Sequence, residues 1–244
     1  MPLSRAQAAL YSELGVPRED WGRASGAVIA FAHNLFVPAG PHVNRALRLK
    51  PFQIEFLRDV YNRRDSKGRL ETSQAVLSIA RRNGKTLLAA VIMLAHLAGP
   101  FKKPNASLVS AATTREQASL VFRFVRDMVR VNKTLRARLK VIDSTKRIVH
   151  REDGSVYRAI SAEAGGQFGM GLDLVVYDEL AQATNRSLYD ALMTSLGSQT
   201  EPLMLVISTQ APSNDHLLSE LIDYGEKVNR GVLQIGRASC RERV

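Results

Sequence analysis

The 244-residue sequence predicts an α/β domain with a mainly parallel central sheet flanked by helices. Short apolar runs of strand length alternate with helical patterns. Polar or charged residues follow directly on three of these runs, as is typical of functional strand ends in such sheets. A hydrophobic content of 45%, with only 16 Gly and 9 Pro, excludes a disordered or collagen-like chain. The predicted strands are residues 74–80, 106–112, 172–177 and 202–208.

The elements before the second strand follow from local patterns. Residues 1–47 are interpreted as an irregular or helical segment. Pro51 suits the first position of a helix, because its missing N–H would be unpaired there, and Ile54, Leu57 and Val60 continue at helical spacing. Residues 81–86 form a loop, which leads into an apolar helix ending near residue 98.

Later elements are predicted in the same way. Thr114 and Gln117 have the spacing of a capping box at the start of a helix. That helix is expected to bury Val121, Phe124, Val125 and Met128 and to expose Arg123, Arg126, Asp127 and Arg130. Residues 143–161 are interpreted as a hairpin with Asp153-Gly154 at its turn, and residues 165–171 as a flexible loop. Two further helices are predicted at residues 187–196 and 216–228.

The charge balance favours an anionic partner. Lys and Arg number 34 against 23 Asp and Glu, a formal net charge of +11. Nucleic acid is the first candidate, and the alternative is a soluble protein that is merely basic. A single cysteine excludes a disulfide framework and a cysteine-ligated zinc site. The five histidines show no metal-ligand spacing.

Both ends of the chain carry information. Residues 235–244 resemble a translated sequencing adapter, so we expect a non-native tail; without it the net charge falls from +11 to +9. The natural protein is then expected to continue beyond residue 234.

The first residues lack a secretory signal pattern, and the longest apolar stretch, residues 86–98, is shorter than the ~20 residues of a membrane helix. A cytoplasmic protein without a membrane partner is expected.

Residues 78–86 lie between a predicted strand and an apolar helix, where a phosphate-binding loop belongs. N–H groups at the start of the helix, together with the helix dipole, stabilise phosphate oxygens. Lys85 would supply charge to the β and γ phosphates, and Thr86 a hydroxyl to Mg²⁺. Ile79 stands where the full motif has glycine, so the match is to Gly84-Lys85-Thr86 and its context. The alternative is a surface loop entering a helix.

Two further strand ends carry candidate residues. Asp178 and Glu179 end an apolar strand, the Walker B arrangement, in which Asp178 helps to hold Mg²⁺ and Glu179 deprotonates the attacking water. The alternative is a polar turn with Glu179 capping a helix. Ser208 and Thr209 end the next strand, where motor ATPases sense the γ-phosphate. Taken alone, that segment is better explained as a plain strand-to-turn transition closed by Pro212.

Together these motifs resemble the large terminase subunit of tailed bacteriophages, the DNA-packaging motor. Terminases commonly have another residue at the position of the first loop glycine and an arginine within the loop. In this chain these residues are Ile79 and Arg81. The resemblance implies a P-loop ATPase of the ASCE, RecA-like class, with an N-terminal segment at residues 1–46 and an ATPase domain at residues 47–234. It spans residues 47–212 and rests on residues 51–53, 80–86, 111–118, 176–179 and 208–209.

The resemblance also implies roles and partners. Gln53 would read adenine and Arg81 would contact the γ-phosphate. Arg82 and Asn83 would line the nucleotide site with Gly84, Lys85 and Thr86, while Ser208 and Thr209 would couple hydrolysis to movement. ATP and Mg²⁺ are the implied cofactors. The implied partners are double-stranded DNA, the portal protein, the small terminase subunit and further copies in a ring, in the host cytoplasm and transiently at the procapsid portal vertex.

Two features of large terminases are left open by this chain. The full-length protein is expected to carry a C-terminal nuclease domain of the RNase H type that cuts concatemeric DNA, and this chain has no such acidic cluster. An arginine finger acting in trans is also expected, with Arg115, Arg123 and Arg158 as candidates.

Two other functions remain as alternatives. A helicase-like or RecA-like DNA-dependent ATPase would share all three strand-end motifs. The chain could also be a non-enzymatic DNA-binding module, in which the Gly-Lys-Thr triplet occurs by chance and binds no phosphate.

Overall fold

The computed structural model describes residues 3–162, 171–211 and 213–231, and the backbone of Ala238–Glu242. Within these residues the strands are β1 (Gln74–Ser78), β2 (Ser107–Ala112), β3 (Leu139–Ile142), β4 (Arg147–His150), β5 (Val156–Ser161), β6 (Leu174–Asp178), β7 (Leu203–Ser208) and β8 (Ala238–Glu242). The helices are α1 (Arg5–Glu13), α2 (Ala24–His33), α3 (Pro51–Tyr61), α4 (Lys85–Leu97), α5 (Arg115–Val131), α6 (Lys133–Arg138), α7 (Ser187–Leu196) and α8 (Leu217–Asn229).

The strands form one sheet in the order β3-β4-β5-β2-β6-β7-β1-β8. The pairs from β5 to β8 are all parallel, and β3 and β4 extend the sheet in antiparallel fashion. The prediction of a mainly parallel sheet is therefore confirmed. Strand β7 lies between β1 and β6 although it follows both in the chain. Because the carboxyl ends of parallel strands meet at one edge, the segments after β1, β6 and β7 become neighbours.

Helices cover both faces of the sheet. On one face Leu77 and Leu174 pack into a core shared with α2, α3, α4 and α5. On the other face Val76 and Val175 pack with residues of α7 and α8. Helix α4 is buried almost throughout, as its apolar sequence predicts. The N-terminal segment joins the first core and is held there by Arg58, whose Nη2 lies 2.6 Å from Oδ2 of the fully buried Asp20.

The hairpin prediction is confirmed, since β4 and β5 pair across a turn in which Gly154 has a φ of +74°. Strand β3 and helix α6 were not predicted, because segments of four and six residues carry too little periodic pattern.

At the start of α5 only half of the capping box forms: the Gln117 N–H donates to Thr114 Oγ1 at 3.3 Å, while the Gln117 side chain contacts Gln182. Most of the predicted loop at residues 165–171 lies outside the described residues.

Packing along α5 follows the prediction with two changes. Val121, Val125 and Met128 are buried, but Phe124 is only partly buried and the neighbouring Phe122 is buried in its place. Arg123 and Arg130 are exposed, whereas Arg126 and Asp127 are half-buried because they pair with each other.

The backbone of β8 pairs in parallel with β1, with Gln74 opposite Ala238. Main-chain hydrogen bonds at a sheet edge form with any sequence. This pairing therefore does not test the prediction that residues 235–244 are non-native, and that prediction stands with the domain boundaries at residues 46 and 234. Over the part of the chain that the structure describes, no helix has the length and apolar character needed to cross a membrane.

His33 fastens α2 to neighbouring segments as a neutral ring. Its Nδ1 lies 2.7 Å from the Leu14 carbonyl oxygen, and its Nε2 accepts a hydrogen bond from the Leu49 N–H at 3.1 Å. A nitrogen that accepts from an N–H carries no proton. Burial, and to a lesser extent the charge of Arg48, lowers the pKa of His33 below its usual value despite the bond to Leu14.

We expect His33 to make folding sensitive to acid. The unfolded chain protonates this ring below about pH 6.5 while the folded ring stays neutral, so stability falls as the pH drops below that value, by up to about 1.4 kcal/mol per pH unit. Denaturant unfolding across this pH range measures the effect. The variant His33→Gln should show a flatter pH dependence, whereas His42→Gln, at an exposed histidine, should retain the steeper one. Equal slopes in both variants would assign the acid sensitivity to other groups.

Candidate nucleotide-binding site

The loop between β1 and α4 has the shape of a phosphate-binding loop. Arg82 and Gly84 adopt left-handed backbone conformations, with φ of 65° and 79°, so the chain turns sharply before α4 begins at Lys85. The Asn83 Nδ2 donates to the Ala80 carbonyl oxygen at 3.3 Å and holds the turn closed. The first N–H groups of α4 have no partner within the helix, and they are the groups that bind anions at helix N-termini.

Lys85 lies at the centre of the candidate site. Its side chain is only 7% exposed, and its Nζ lies 3.0 Å from Glu179 Oε1. The same ammonium donates to the carbonyl oxygen of Ile79 at 3.1 Å. Helix α4 thus brings a buried positive charge to the strand end that carries the candidate catalytic carboxylate.

Asp178 is the last residue of β6 and is buried. Its Oδ1 has no hydrogen-bond partner among the described residues. Burial, together with the neighbouring Glu179 carboxylate, raises the pKa of Asp178 to about 7, although Lys85 acts in the opposite direction. A buried carboxylate oxygen without a hydrogen-bond partner is costly unless a cation balances it.

These residues fit Mg²⁺. Magnesium takes few protein ligands, because it keeps several waters and binds substrate phosphates together with one or two carboxylates. The described residues include no cluster of three or more His, Cys, Asp or Glu that could hold a metal unaided. The unpartnered Oδ1 of Asp178 and the hydroxyl of Thr86, in the first turn of α4, are therefore the protein groups that would hold the ion.

Glu179 is fixed by contacts on both sides. Its Oε2 accepts hydrogen bonds from the N–H and the hydroxyl of Thr209, both at 3.0 Å, and its Oε1 pairs with Lys85. Burial alone would raise the pKa of Glu179, but the hydrogen bond and charge of Lys85 and the two bonds from Thr209 lower it overall. The carboxylate is therefore ionised and can accept a proton.

The backbone at Glu179 is left-handed, with a φ of 57°. Such a conformation costs a residue with a Cβ roughly 1–3 kcal/mol, and it persists only where surrounding contacts enforce it. Here the Glu179 N–H donates to the Ile207 carbonyl oxygen at 2.7 Å, which ties the turn to β7.

The end of β7 connects the two motifs. The Ser208 carbonyl oxygen accepts from the Ile79 N–H at 3.0 Å, at the start of the loop. The Ser208 hydroxyl accepts from the Ala181 N–H at 3.0 Å, just after Glu179. Ser208 and Thr209 thus touch the segments after β1 and β6 at once, an arrangement that can transmit movement between them. Their coupling role stays a prediction.

Gln53 lies next to the loop, but its amide is already engaged. Its Nε2 is 3.4 Å from the Gly84 carbonyl oxygen, and its Oε1 accepts from the Lys50 N–H at 2.8 Å. The side chain is buried, with 3% of the residue exposed. Reading adenine would require one of these bonds to be exchanged, so the adenine role also stays a prediction.

The predicted arginines are less closely placed. Arg81 and Arg82 project from the loop and are exposed. Of the arginine-finger candidates, Arg115 and Arg123 lie on α5, and Arg158 lies in β5, two strands from β6. The structure adds what the sequence did not show: the ion pair between Lys85 and Glu179 and the bonds from Thr209 to Glu179. No local signal marks these contacts, because they depend on β7 lying between β1 and β6.

A phosphate-binding loop after β1, a carboxylate pair after β6 and a strand inserted between them define a P-loop ATPase of the ASCE class. The family model for the terminase large subunit, ATPase domain, matches residues 51–227. The chain therefore belongs to the terminase large subunit family and carries its ATPase domain, as the sequence motifs predicted.

Individual relatives agree with this assignment. The chain is 40% identical over 199 residues to the terminase large subunit of Enterobacteria phage HK97, a match that covers 80% of the chain and 38% of that relative. The crystal structure of the HK97 large terminase superposes with a TM-score of 0.79 at 36% identity, over 90% of this chain and 43% of that one. The chain thus spans well under half the length of these relatives.

More distant structures support the fold alone. The ATPase domain of the large terminase from Thermus phage P74-26 has a TM-score of 0.52 at 22% identity, covering 72% of this chain and 75% of that chain. The large terminase of another thermophilic bacteriophage has a TM-score of 0.55 at 12% identity, covering 79% of this chain and 44% of that chain.

We expect the Thr209 hydroxyl to contribute to turnover through Glu179. Thr209→Val removes one hydrogen bond to a charged group, worth about 1.5 kcal/mol, so kcat for ATP should fall about tenfold. Steady-state kinetics measures this change. Thr209→Ser keeps a hydroxyl and should retain most of the activity. Equal losses in both variants, or a change confined to KM, would contradict this role.

Proposed function

We propose that this chain is the motor domain that hydrolyses ATP to translocate double-stranded viral DNA into the procapsid. The proposal rests chiefly on one observation, the Glu179 carboxylate held between Lys85 and Thr209 at the end of β6. It is supported by membership of the terminase family and by the formal net charge of +11, which suits a phosphate-backbone substrate.

The residues divide the chemistry of hydrolysis. The loop N–H groups and the Lys85 ammonium bind the phosphates. Thr86 and Asp178 would hold Mg²⁺, which would supply positive charge against the phosphates. As Lys85 turns towards the γ-phosphate, Glu179 Oε1 loses its ion-pair partner and can accept a proton from water. The water oxygen then bonds to the γ-phosphorus, the bond to the ADP oxygen breaks, and Glu179 carries the proton.

The same contacts supply a route to movement. A change in the charge of Glu179 alters its hydrogen bonds to Thr209, and β7 passes that change to the loop through Ser208. We propose that this link, with exposed Arg81 near the γ-phosphate, couples phosphate release to a shift of the DNA-gripping surface.

The wider assembly is proposed from the family. The motor would form a ring on the portal protein, have the small terminase subunit as a further partner and act in the host cytoplasm. The full-length protein would also cut concatemeric DNA with a nuclease domain beyond this chain. Membership of the terminase family favours packaging over a helicase-like role, and a titration with Mg-ATP tests the non-enzymatic alternative, which predicts no binding.

We expect Glu179→Gln to bind Mg-ATP with unchanged affinity and to hydrolyse it at least about 100-fold more slowly, because the amide cannot accept the proton. Calorimetric titration and a phosphate-release assay measure the two quantities. Glu71→Gln, at an exposed site, is the matched control. Rapid hydrolysis by Glu179→Gln would show that another group is the base.

Lys85→Ala should abolish ATP hydrolysis, since it removes the buried positive charge meant for the phosphates. The exposed Lys67 provides a control, Lys67→Ala, that should hydrolyse ATP like the unchanged chain. Unchanged turnover in Lys85→Ala would refute the assignment of the phosphate site.

A further inference from the structure

The positive charge of the chain is concentrated at one end of the sheet. Residues 115–158 hold 12 Lys and Arg against five Asp and Glu, a net charge of +7 out of +11 for the whole chain. They form α5, α6 and strands β3 to β5, the end of the sheet farthest from β1 and β8. Arg126 and Arg130 are balanced by Asp127 and Asp143, so the excess lies with the remaining basic residues.

Two of these arginines stand directly opposite each other. Arg147 of β4 and Arg158 of β5 are register partners in the antiparallel pair, so they project from the same face of the sheet. Like charges in this position repel and destabilise a sheet. The Nε atoms of both guanidinium groups are buried and have no hydrogen-bond acceptor among the described residues. An anion bound between them would remove both costs.

Among the described residues, the surrounding face stays accessible to a large partner. Helices α7 and α8 pack against β6, β7, β1 and β8 on this side of the sheet. The side chains that β3, β4 and β5 place on the same side are exposed or half-buried. We call these residues the outer basic face; they are Lys140, Ile142, Arg147, Val149, Val156 and Arg158.

We propose that the outer basic face binds the phosphate backbone of double-stranded DNA, with Arg147 and Arg158 as its central contacts. The inference rests on the proposed function and locates its DNA-gripping surface. Lys140, Arg147 and Arg158 lie on three adjacent strands and give this face three positive charges and no acidic side chain. Such a row of charges matches an extended polyanion, whereas a single carboxylate would balance only one of them. A second copy of a chain with a net charge of +11 is a poor source of negative charge.

A simpler role for these residues is protection of the edge strand β3 against association with other strands. That role requires exposed charges on β3, such as Lys140, but it does not require two arginines to face each other in the interior pair of β4 and β5. It also predicts that Arg147 and Arg158 contribute nothing to DNA affinity.

The test is fluorescence anisotropy of a labelled duplex of about 30 base pairs, without nucleotide, over a range of salt concentrations. Each phosphate contact contributes about −0.9 to the slope of log K against log salt. The double variant Arg147→Gln with Arg158→Gln should therefore reduce the slope magnitude by about 1.8 and weaken binding about 60-fold at 0.1 M salt. Because the variant removes cross-strand repulsion, its Tm should rise by about 1–3 °C.

The matched control is Arg23→Gln with Arg45→Gln, which removes the same charge from two exposed arginines outside the patch. It should leave the slope and affinity close to those of the unchanged chain. A second variant, Arg147→Lys with Arg158→Lys, keeps the positive charges and should keep most of the affinity for DNA. Its binding would show that replacing the two arginines does not by itself unfold the face, so the loss in the Gln double variant comes from the missing charge.

Equal losses in the Gln pair and its control, or no loss in the Gln pair, would overturn the inference, as would failure of the unchanged chain to bind the duplex. The Arg147→Gln, Arg158→Gln double variant could also differ from the unchanged chain in sedimentation coefficient while binding DNA equally well. That result would assign the face to contact with a second copy and would overturn the inference as well. ATP hydrolysis by the unchanged chain is measured separately, so failure of the proposed function is distinguishable from failure of the DNA surface.

Discussion

The Glu179 carboxylate, held between Lys85 and Thr209, is the interaction on which the rest of the site depends. One oxygen pairs with the ammonium at the start of α4, and the other accepts two hydrogen bonds from the end of β7. Three elements from distant parts of the chain meet there only because β7 lies between β1 and β6. The sheet order is therefore the structural cause of the chemistry.

A buried ion pair of this kind contributes little to stability on its own, because the desolvation of both charges offsets their attraction. The ion pair between Lys85 and Glu179 matters instead because it fixes where the two charged groups lie in the site. Lys85 and Thr209 keep the carboxylate ionised in a site where burial alone would favour the protonated form. The pair also places the phosphate-binding charge and the proton acceptor in contact, so that phosphate binding by one residue changes the environment of the other.

Local strain marks the same site. Arg82 and Glu179 both have side chains and both adopt left-handed conformations, at a cost that the neighbouring hydrogen bonds must offset. The Glu179 N–H bond to Ile207 and the Ser208 bonds to Ile79 and Ala181 provide that support. The opposed arginines at the other end of the sheet are a second case in which stability is given up at a surface suited to an anion.

Much of the fold was predictable, because apolar runs such as β6 and β7 and the buried helix α4 have strong periodic patterns. The identities of Lys85, Asp178 and Glu179 were predictable for a related reason: Asp178 and Glu179 stand at the end of an apolar run, and Lys85 directly precedes one. The short elements β3 and α6 were missed, since four to six residues carry little pattern. The contact of Thr209 with Glu179 and the opposition of Arg147 to Arg158 depend on sheet order and register, which no local sequence feature encodes.

The central claim is that Thr209 acts on hydrolysis through Glu179, and a double-mutant cycle on kcat tests it most directly. The cycle compares Thr209→Val in the unchanged chain with the same substitution in a Glu179→Gln background. We predict strong non-additivity, with Thr209→Val having almost no further effect once the carboxylate is gone. Additive effects of the two substitutions would show that Thr209 acts independently of Glu179 and would contradict the account.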